Sequence, residues 1–154
     1  MAQAKTLTQA ELDQVLAYIA SRSFATRNRV MLLTGYWSGM RVGEIASLSI
    51  ADVCNADGTA KSEIRLTADQ TKGRHPRTVF VPQKLRDELQ AYLDLRKPLN
   101  HKHPLFITAG RKAFTAGGMT QHFFWLFRNA GIAGASSHSM RRSFISTLAA
   151  RGIG

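Results

Sequence analysis

The sequence predicts an α+β fold that is mostly helical and includes a small antiparallel β-sheet of two to three strands. Apolar residues recur every three to four positions toward both ends of the chain, which is the period of amphipathic helices. Between them, short β-type runs are separated by Gly, Pro, Asn and Asp, which is typical of strands joined by turns. The 154 residues fit one domain with its own core.

Three helices are predicted before the sheet. Thr8 and Glu11 form a capping box that opens an amphipathic helix of about a dozen residues. A second helix is predicted from about Ala25 to Ser38, where Gly39 ends it. The stretch from Val42 to Leu48 predicts a third, shorter helix.

The middle of the chain changes to the period of β-strands. The β-type runs cover Ser47 to Val53, Glu63 to Thr67, and Arg77 to Val81. Five turn-forming residues separate them, namely Asn55, Asp57, Gly58, Gly73 and Pro76. The pattern predicts a small sheet with a hairpin between its last two strands.

Helices return after the sheet. One is predicted from Lys84 to Arg96. Thr120 is predicted to cap the next helix, which ends near Gly131. Ser137 is predicted to cap the last helix, which runs from His138 to about Ala150.

The charge balance indicates a nucleic-acid binder. The chain carries 21 Lys and Arg against 10 Asp and Glu, a formal net charge of +11, and its isoelectric point is about 10.7. No acidic residue occurs from Leu95 to Gly154, so this part of the chain would attract a polyanion. The alternative is a solvated face that only keeps the protein soluble.

Composition argues against several other classes. The chain has neither a run of about 18 apolar residues nor an apolar leader, so we expect a cytoplasmic protein. The single cysteine, Cys54, lacks the partners of a disulfide or a zinc site and is interpreted as a small structural residue. Carboxylates are not clustered as a metal site requires, and no cofactor is indicated.

Three segments pair a basic side chain with a turn or a helix end. Arg41 lies between two glycines at a helix junction, where Glu44 can hold a guanidinium in one orientation. Lys72 lies at the tip of the predicted hairpin. His138 and Arg141 are three residues apart at a helix start, so they share one face.

Each segment also has an ordinary explanation. An arginine near a glycine is usually part of a surface ion pair, and a basic hairpin tip is usually just solvated. A histidine at a helix start is more often a cap or a packed side chain than a catalyst. The informative feature is the order of the three segments: Gly-Met-Arg-x-Gly-Glu, a hairpin lysine, and His-x-x-Arg at a helix start.

This ordered series resembles the catalytic core of the tyrosine recombinases, the phage-integrase family. The family's arginine motif matches Gly39 to Glu44 closely. Its hairpin motif matches Lys72 and the stretch from Arg77 to Pro82. Its Ser-His-x-x-Arg helix matches Ser137 to Phe144, and the phrase Arg128 to Ile132 is also similar to family sequences. The resemblance covers nearly the whole chain.

The resemblance implies a role for each residue. Arg41 and Arg141 would bind the non-bridging oxygens of a DNA phosphodiester, with Glu44 holding a guanidinium in place. Lys72 would protonate the departing 5′ oxygen, and His138 would assist proton transfer or hydrogen-bond the phosphate. Neither a metal nor a cofactor is implied. Further contacts with duplex DNA are expected from three basic residues: Arg74, Arg77 and Arg142.

The family pattern continues with a second His or Trp and then the tyrosine nucleophile. Gly154 follows Arg141 too closely for either to be present. Tyr18, Tyr36 and Tyr92 precede the third motif on predicted helices and are interpreted as core or interface residues. We therefore expect a partial catalytic domain, without the family's N-terminal core-binding domain and C-terminal tyrosine segment.

Several expectations follow for such a fragment of a bacterial or phage protein acting at the nucleoid. It should bind duplex DNA without forming a covalent intermediate. The helices missing from its C-terminal end should leave apolar surface uncovered, which favours a homo-oligomer or association with full-length recombinase protomers.

Two other functions remain open. A DNA-binding protein without catalysis could use the same basic residues as phosphate contacts. An RNA binder or ribonuclease could use His138 as an acid or base. The chain has 2 Trp, 3 Tyr and 8 Phe, largely on apolar faces, so the stacking surfaces common in RNA binding are not evident.

Overall fold

The computed structural model describes residues 3–152, which form seven α-helices and one two-stranded sheet. The helices are α1 (Gln9–Ala20), α2 (Ala25–Ser38), α3 (Val42–Ala46), α4 (Ile50–Val53), α5 (Gln83–Leu95), α6 (Ala116–Asn129) and α7 (Ser137–Ala150). The antiparallel strands are β1 (Glu63–Leu66) and β2 (Arg77–Phe80). The predicted class, mostly helical α+β with a small antiparallel sheet, is confirmed.

Helix α2 lies at the centre of the fold. It packs against α1, α5 and α7. Val30, Met31, Leu32 and Leu33 are consecutive in sequence and fully buried. Apolar contacts therefore surround the helix instead of forming one stripe, as expected of a core helix. Gly39 ends it in the left-handed conformation, with φ of 73°.

The sheet packs one face against the core. Ile64, Leu66 and Val79 are buried, and the register pairs Ile64 with Val79. Arg65 and Phe80 point the other way and are exposed, which is the alternation expected of half-buried strands. The loop that joins the two strands therefore projects from one end of the sheet.

The predicted β-type run from Ser47 to Val53 is wrong. Ile50–Val53 forms helix α4, and Ser49 makes only an isolated bridge with Pro104. The Asp52 carboxylate accepts a hydrogen bond from the Ser49 N–H at 2.9 Å, an interaction typical of helix starts. A short apolar run fits the period of a helix and of a strand equally well, so its pattern could not decide between them.

Two helix caps also differ from prediction. Helix α6 is capped by Thr115 instead of Thr120, because the Thr115 hydroxyl accepts a hydrogen bond from the Gly118 N–H at 2.9 Å. Gly117 and Gly118, which precede the predicted cap, lie in its first turn. Helix α7 is capped by Ser136, and the predicted cap, Ser137, is its first residue. The other predicted helices agree with the structure to within two residues at each end.

A buried polar cluster joins the start of α2 to α6. Arg27 is 8% exposed and lies over the rings of Phe24 and Phe114. Its guanidinium donates to Asn28 Oδ1, and His122 Nε2 lies 3.0 Å from the same oxygen. Burial, reinforced by the charge of Arg27, lowers the pKa of His122 from 6.5 to about 4. The imidazole is therefore neutral at pH 7, and the cluster fixes α6 against α2.

The structure also bears on the cysteine and on membranes. Cys54 is buried in the core, and burial raises the pKa of its thiol. This environment agrees with the predicted structural role, because the thiolate is the reactive form. No helix within residues 3–152 combines the length and apolar character needed to cross a bilayer.

Candidate functional site

Arg41 lies at the start of α3, directly after the turn that ends α2. Its backbone N–H donates to Glu44 Oε1 at 2.9 Å, which satisfies a donor that the helix itself leaves open. The Arg41 side chain is 45% exposed, with Nη1 at 3.8 Å from Glu44 Oε2. The backbone of Arg41 is thus fixed while its guanidinium reaches solvent.

Glu44 is the buried acid of this region, with a side chain only 1% exposed. Arg77 on β2 binds it with two donors, Nη2 to Oε1 at 2.5 Å and Nε to Oε2 at 3.2 Å. Burial alone would raise the pKa of Glu44, but hydrogen bonds from Arg77 and from the Arg41 N–H outweigh burial and lower the pKa below 4.5. The ionised carboxylate therefore ties β2 to the start of α3.

Arg141 lies on α7 and extends toward the start of α3. Its Nη1 donates to the carbonyl oxygen of Gly39 at 2.5 Å. A Cβ atom on Gly39 would lie 2.3 Å from the ring of Phe144, and one on Gly35 would lie 2.8 Å from Met140 Sδ. Larger residues at either glycine would push α7 away from α2. The two glycines therefore set how closely Arg141 approaches the start of α3.

Lys72 lies in the loop between β1 and β2, as predicted. A single 3-10 turn, Ala68–Gln70, precedes it. This turn is anchored to the body of the domain, because Gln70 Nε2 donates to Asp52 Oδ2 at 3.0 Å. The buried Thr71 hydroxyl donates to the carbonyl oxygen of His75 at 3.0 Å. Lys72 itself is exposed, so a fixed loop carries a side chain that can still move.

These segments meet at a cleft of about 620 Å³. The hairpin loop forms one wall, the start of α3 forms another, and the first turns of α6 and α7 complete it. Four of the lining residues are those predicted to be catalytic: Arg41, Lys72, His138 and Arg141. The fold thus brings together three segments that are far apart in the sequence.

The cleft carries a small excess of positive charge, because three cations (Arg41, Lys72 and Arg141) and two carboxylates (Glu44 and Asp69) line it. Burial lowers the pKa of the Arg141 guanidinium, and repulsion from Arg41 and Arg77 lowers it further, while Glu44 acts in the opposite sense. The buried Glu44 carboxylate thus interacts with three arginines, Arg41, Arg77 and Arg141. A bound anion would relieve this repulsion, and planar guanidinium groups are suited to the oxygens of phosphate.

The three other basic residues singled out from the sequence have different surroundings. The Arg77 guanidinium is occupied by Glu44, although its side chain is still 35% exposed. Arg74 is exposed in the hairpin loop, 3.1 Å from the Asp69 carboxylate. Arg142 is exposed on α7. Contacts of these three residues with DNA stay predictions.

Sequence reasoning did not select some residues that line the cleft. Ser137 and Ala116 lie at the starts of α7 and α6, and Gln70 lies in the hairpin loop. The Ser-His-x-x-Arg motif includes Ser137, but the motif alone gives this serine no role. Ala116 has no chemical signature and reaches the cleft only because α6 packs against α3.

None of the chain's three tyrosines, all within the described residues, lines the cleft. The Tyr92 hydroxyl is buried and donates to the carbonyl oxygen of Leu105 at 2.9 Å. Tyr18 and Tyr36 pack against the core from α1 and α2. These surroundings agree with the predicted packing roles.

The Glu44→Gln variant should lose about 2 kcal/mol of unfolding free energy at pH 7. The reason is that the hydrogen bonds between the charged Glu44 carboxylate and the Arg77 guanidinium are lost. Because the folded pKa of Glu44 is lowered, its contribution is complete above its usual pKa of 4.5 and is lost as the pH falls through the folded value. Urea unfolding of both proteins from pH 7 down to acidic pH measures this.

The control is Glu63→Gln, because Glu63 is an exposed acid on β1. This variant should match the wild type at every pH. Equal stability of Glu44→Gln and wild type at neutral pH would contradict the assigned role. So would a difference between them that stays the same in acid.

Residues 5–154 match the phage integrase family. The tyrosine recombinase XerA of Pyrococcus furiosus is 30% identical over 154 residues, which cover 97% of this chain and 49% of that protein. The tyrosine recombinase XerC of Lactobacillus leichmannii is 26% identical over 147 residues, which cover 91% and 48%. The chain spans about half the length of these relatives.

Solved structures give the same result. The crystal structure of XerA recombinase has a TM-score of 0.77 and 25% identity, with 99% of this chain and 53% of that chain covered. The Tn1549 transposon integrase, solved in complex with transposon right end DNA, has a TM-score of 0.73 at 17% identity, with 100% and 56% covered. The latter likeness concerns the fold. With a family match over nearly its full length, this chain belongs to the phage integrase family of tyrosine recombinases.

Proposed function

We propose that this chain is the phosphate-activating part of a site-specific DNA recombinase or integrase. Its cleft would bind one scissile phosphodiester of duplex DNA and prepare it for attack by a tyrosine, which gives a 3′-phosphotyrosyl intermediate. The observation that carries the proposal is the presence of Arg41, Lys72, His138 and Arg141 in a single cleft.

The two arginines suit the charge that develops during phosphoryl transfer. Attack on a phosphodiester increases the negative charge on the non-bridging oxygens, which guanidinium groups can bind with two donors each. The Arg41 guanidinium is half exposed, and Arg141 is held in place by the carbonyl oxygen of Gly39. Groups positioned in advance stabilise a transition state without reorganising. The proposal therefore involves no metal and no cofactor.

The other two residues suit proton transfer. The leaving 5′ oxygen needs a proton, and the Lys72 ammonium would supply it from an exposed side chain on an anchored loop. His138 is exposed in the first turn of α7, one turn before Arg141. From there it would assist proton transfer or hydrogen-bond the phosphate.

Duplex DNA is the proposed partner. The net charge of +11 favours a polyanion. Arg74 and Arg142 are exposed on two of the segments that form the cleft, so they would contact flanking phosphates, with Arg77 acting mainly through Glu44. Among relatives of the same fold, XerH recombinase was solved bound to its difH substrate.

The positions of the tyrosines support a further part of the proposal. Because no tyrosine of the described chain lines the cleft, the nucleophile would come from another segment or another protomer. We therefore propose that this chain alone binds DNA in the cytoplasm without cleaving it. Phe124, Trp125 and Ile145 are exposed, and such apolar surface favours association with further copies or with full-length protomers.

The same observation leaves one alternative function. A DNA-binding protein without catalysis would use the cationic groups of Arg41, Lys72 and Arg141 only as phosphate contacts. It would need no tyrosine.

The isolated chain should bind duplex DNA with an affinity that decreases steeply with salt, at a slope of about −0.9 per phosphate neutralised. It should form no covalent adduct with suicide substrates. Fluorescence anisotropy across salt concentrations and denaturing gels measure these properties. A protein–DNA adduct, or binding that is insensitive to salt, would refute this part of the proposal.

The isolated chain should also self-associate, which light scattering measures. A clean monomer at high concentration would contradict self-association.

Arg141→Ala tests catalysis against binding alone. In a version of the protein extended to include the family's tyrosine segment, this variant should cleave DNA more slowly by a factor of about 10² to 10³ or more, because a positioned charge donor is lost. Its DNA affinity should stay within several-fold of the parent. If the extended protein does not cleave DNA and Arg141→Ala only lowers its DNA affinity, the result supports the alternative, a DNA-binding protein without catalysis. The exposed Arg151, outside the cleft, gives a matched control as Arg151→Ala.

A further inference from the structure

Ser137 is the first residue of α7 and has an unusual environment. Its side chain is 4% exposed, and its Oγ has no hydrogen-bond partner among the described residues. The other buried serines of the helix have partners. Ser139 Oγ accepts from the Ser136 N–H, and Ser143 Oγ donates to Ser139 O and accepts from the Leu7 N–H. Ser137 is nevertheless part of the wall of the cleft.

A buried hydroxyl without a partner is costly, because it has given up its hydrogen bonds to water and gained none in return. Such groups are rare in native proteins, and a bound water, a bound ion or a role in catalysis can account for them. A rotation about the single χ1 bond of serine exchanges one staggered position for another. The hydroxyl can therefore reach a group that enters the cleft.

The location favours an anion. Helix α7 has 14 residues, and Ser136 at its N-cap accepts hydrogen bonds from the N–H groups of His138 and Ser139. The aligned peptide dipoles give the helix start a partial positive charge. His138 follows Ser137 directly, and Arg141 lies one turn further along the same helix. The unpaired hydroxyl is thus beside groups that favour negative charge.

We propose that Ser137 is a further phosphate-binding residue, whose hydroxyl donates to a non-bridging oxygen of the phosphate held by Arg41 and Arg141. The inference rests on the proposed function, because it assumes that the cleft binds a phosphate. It adds a short neutral donor on a rigid helix to the long cationic side chains. The phosphate would accept the hydrogen bond for which the Ser137 hydroxyl has no protein partner among the described residues.

The test is a titration of the folded chain with inorganic phosphate, followed by the backbone amide signals of residues 137–141 in ¹H–¹⁵N NMR spectra. Ser137→Ala should bind phosphate about tenfold more weakly than wild type, since it loses one hydrogen bond to a charged group. In phosphate-free buffer it should unfold at the same urea concentration as wild type or a higher one, because the variant removes an unsatisfied group.

Ser143→Ala is the matched control, since Ser143 is a buried serine of the same helix with both partners in place. It should lower stability and leave phosphate affinity unchanged. Phosphate affinity of Ser137→Ala within twofold of wild type overturns the proposal. An equal loss of affinity in Ser143→Ala also overturns it, because the effect would then be structural.

Arg141→Ala separates this inference from the proposed function. If Arg141→Ala loses phosphate binding and Ser137→Ala does not, only the role of Ser137 is wrong. If wild type shows no saturable shifts, or Arg141→Ala binds as wild type does, the phosphate site and the role of Ser137 are both wrong.

Discussion

The buried carboxylate of Glu44 is the interaction on which the rest of the site depends. It receives two hydrogen bonds from Arg77 on β2 and one from the backbone of Arg41 at the start of α3. The sheet and the helical part of the domain are therefore held together at the floor of the cleft. An acid in this position also keeps a group of cations close to one another, which their mutual repulsion would otherwise oppose.

Close packing supplies the second constraint. Gly35 and Gly39 let α7 lie against α2, and the carbonyl oxygen of Gly39 then holds Arg141 beside the start of α3. The same helix brings His138 and Ser137 to the cleft in its first turn. Because Gly35 and Gly39 have no side chains, α7 packs close to α2, and this packing determines the position of the charged groups on α7. The chemistry is carried by side chains, but its geometry is set by helix packing.

Much of this arrangement could be predicted from the sequence, for physical reasons. The capping box at Thr8 and the glycine stop at Gly39 are local signals, so the helix bounds they imply were correct. The hairpin position of Lys72 also follows from local turn chemistry. The shared site was implied by the resemblance of the three motifs to the tyrosine recombinases, and one cleft contains residues of all three motifs.

Other features depend on contacts between distant segments, which no local pattern contains. The pairing of Arg77 with Glu44 arises only when the sheet packs on α3. The unpaired hydroxyl of Ser137 is visible only once burial is known.

The proposed function requires that Arg41 and Arg141 share one phosphate. A crystal structure of the chain with orthovanadate tests it most directly. We predict a single anion within hydrogen-bond distance of both guanidinium groups; separate anions at each arginine, or an empty cleft, would contradict it.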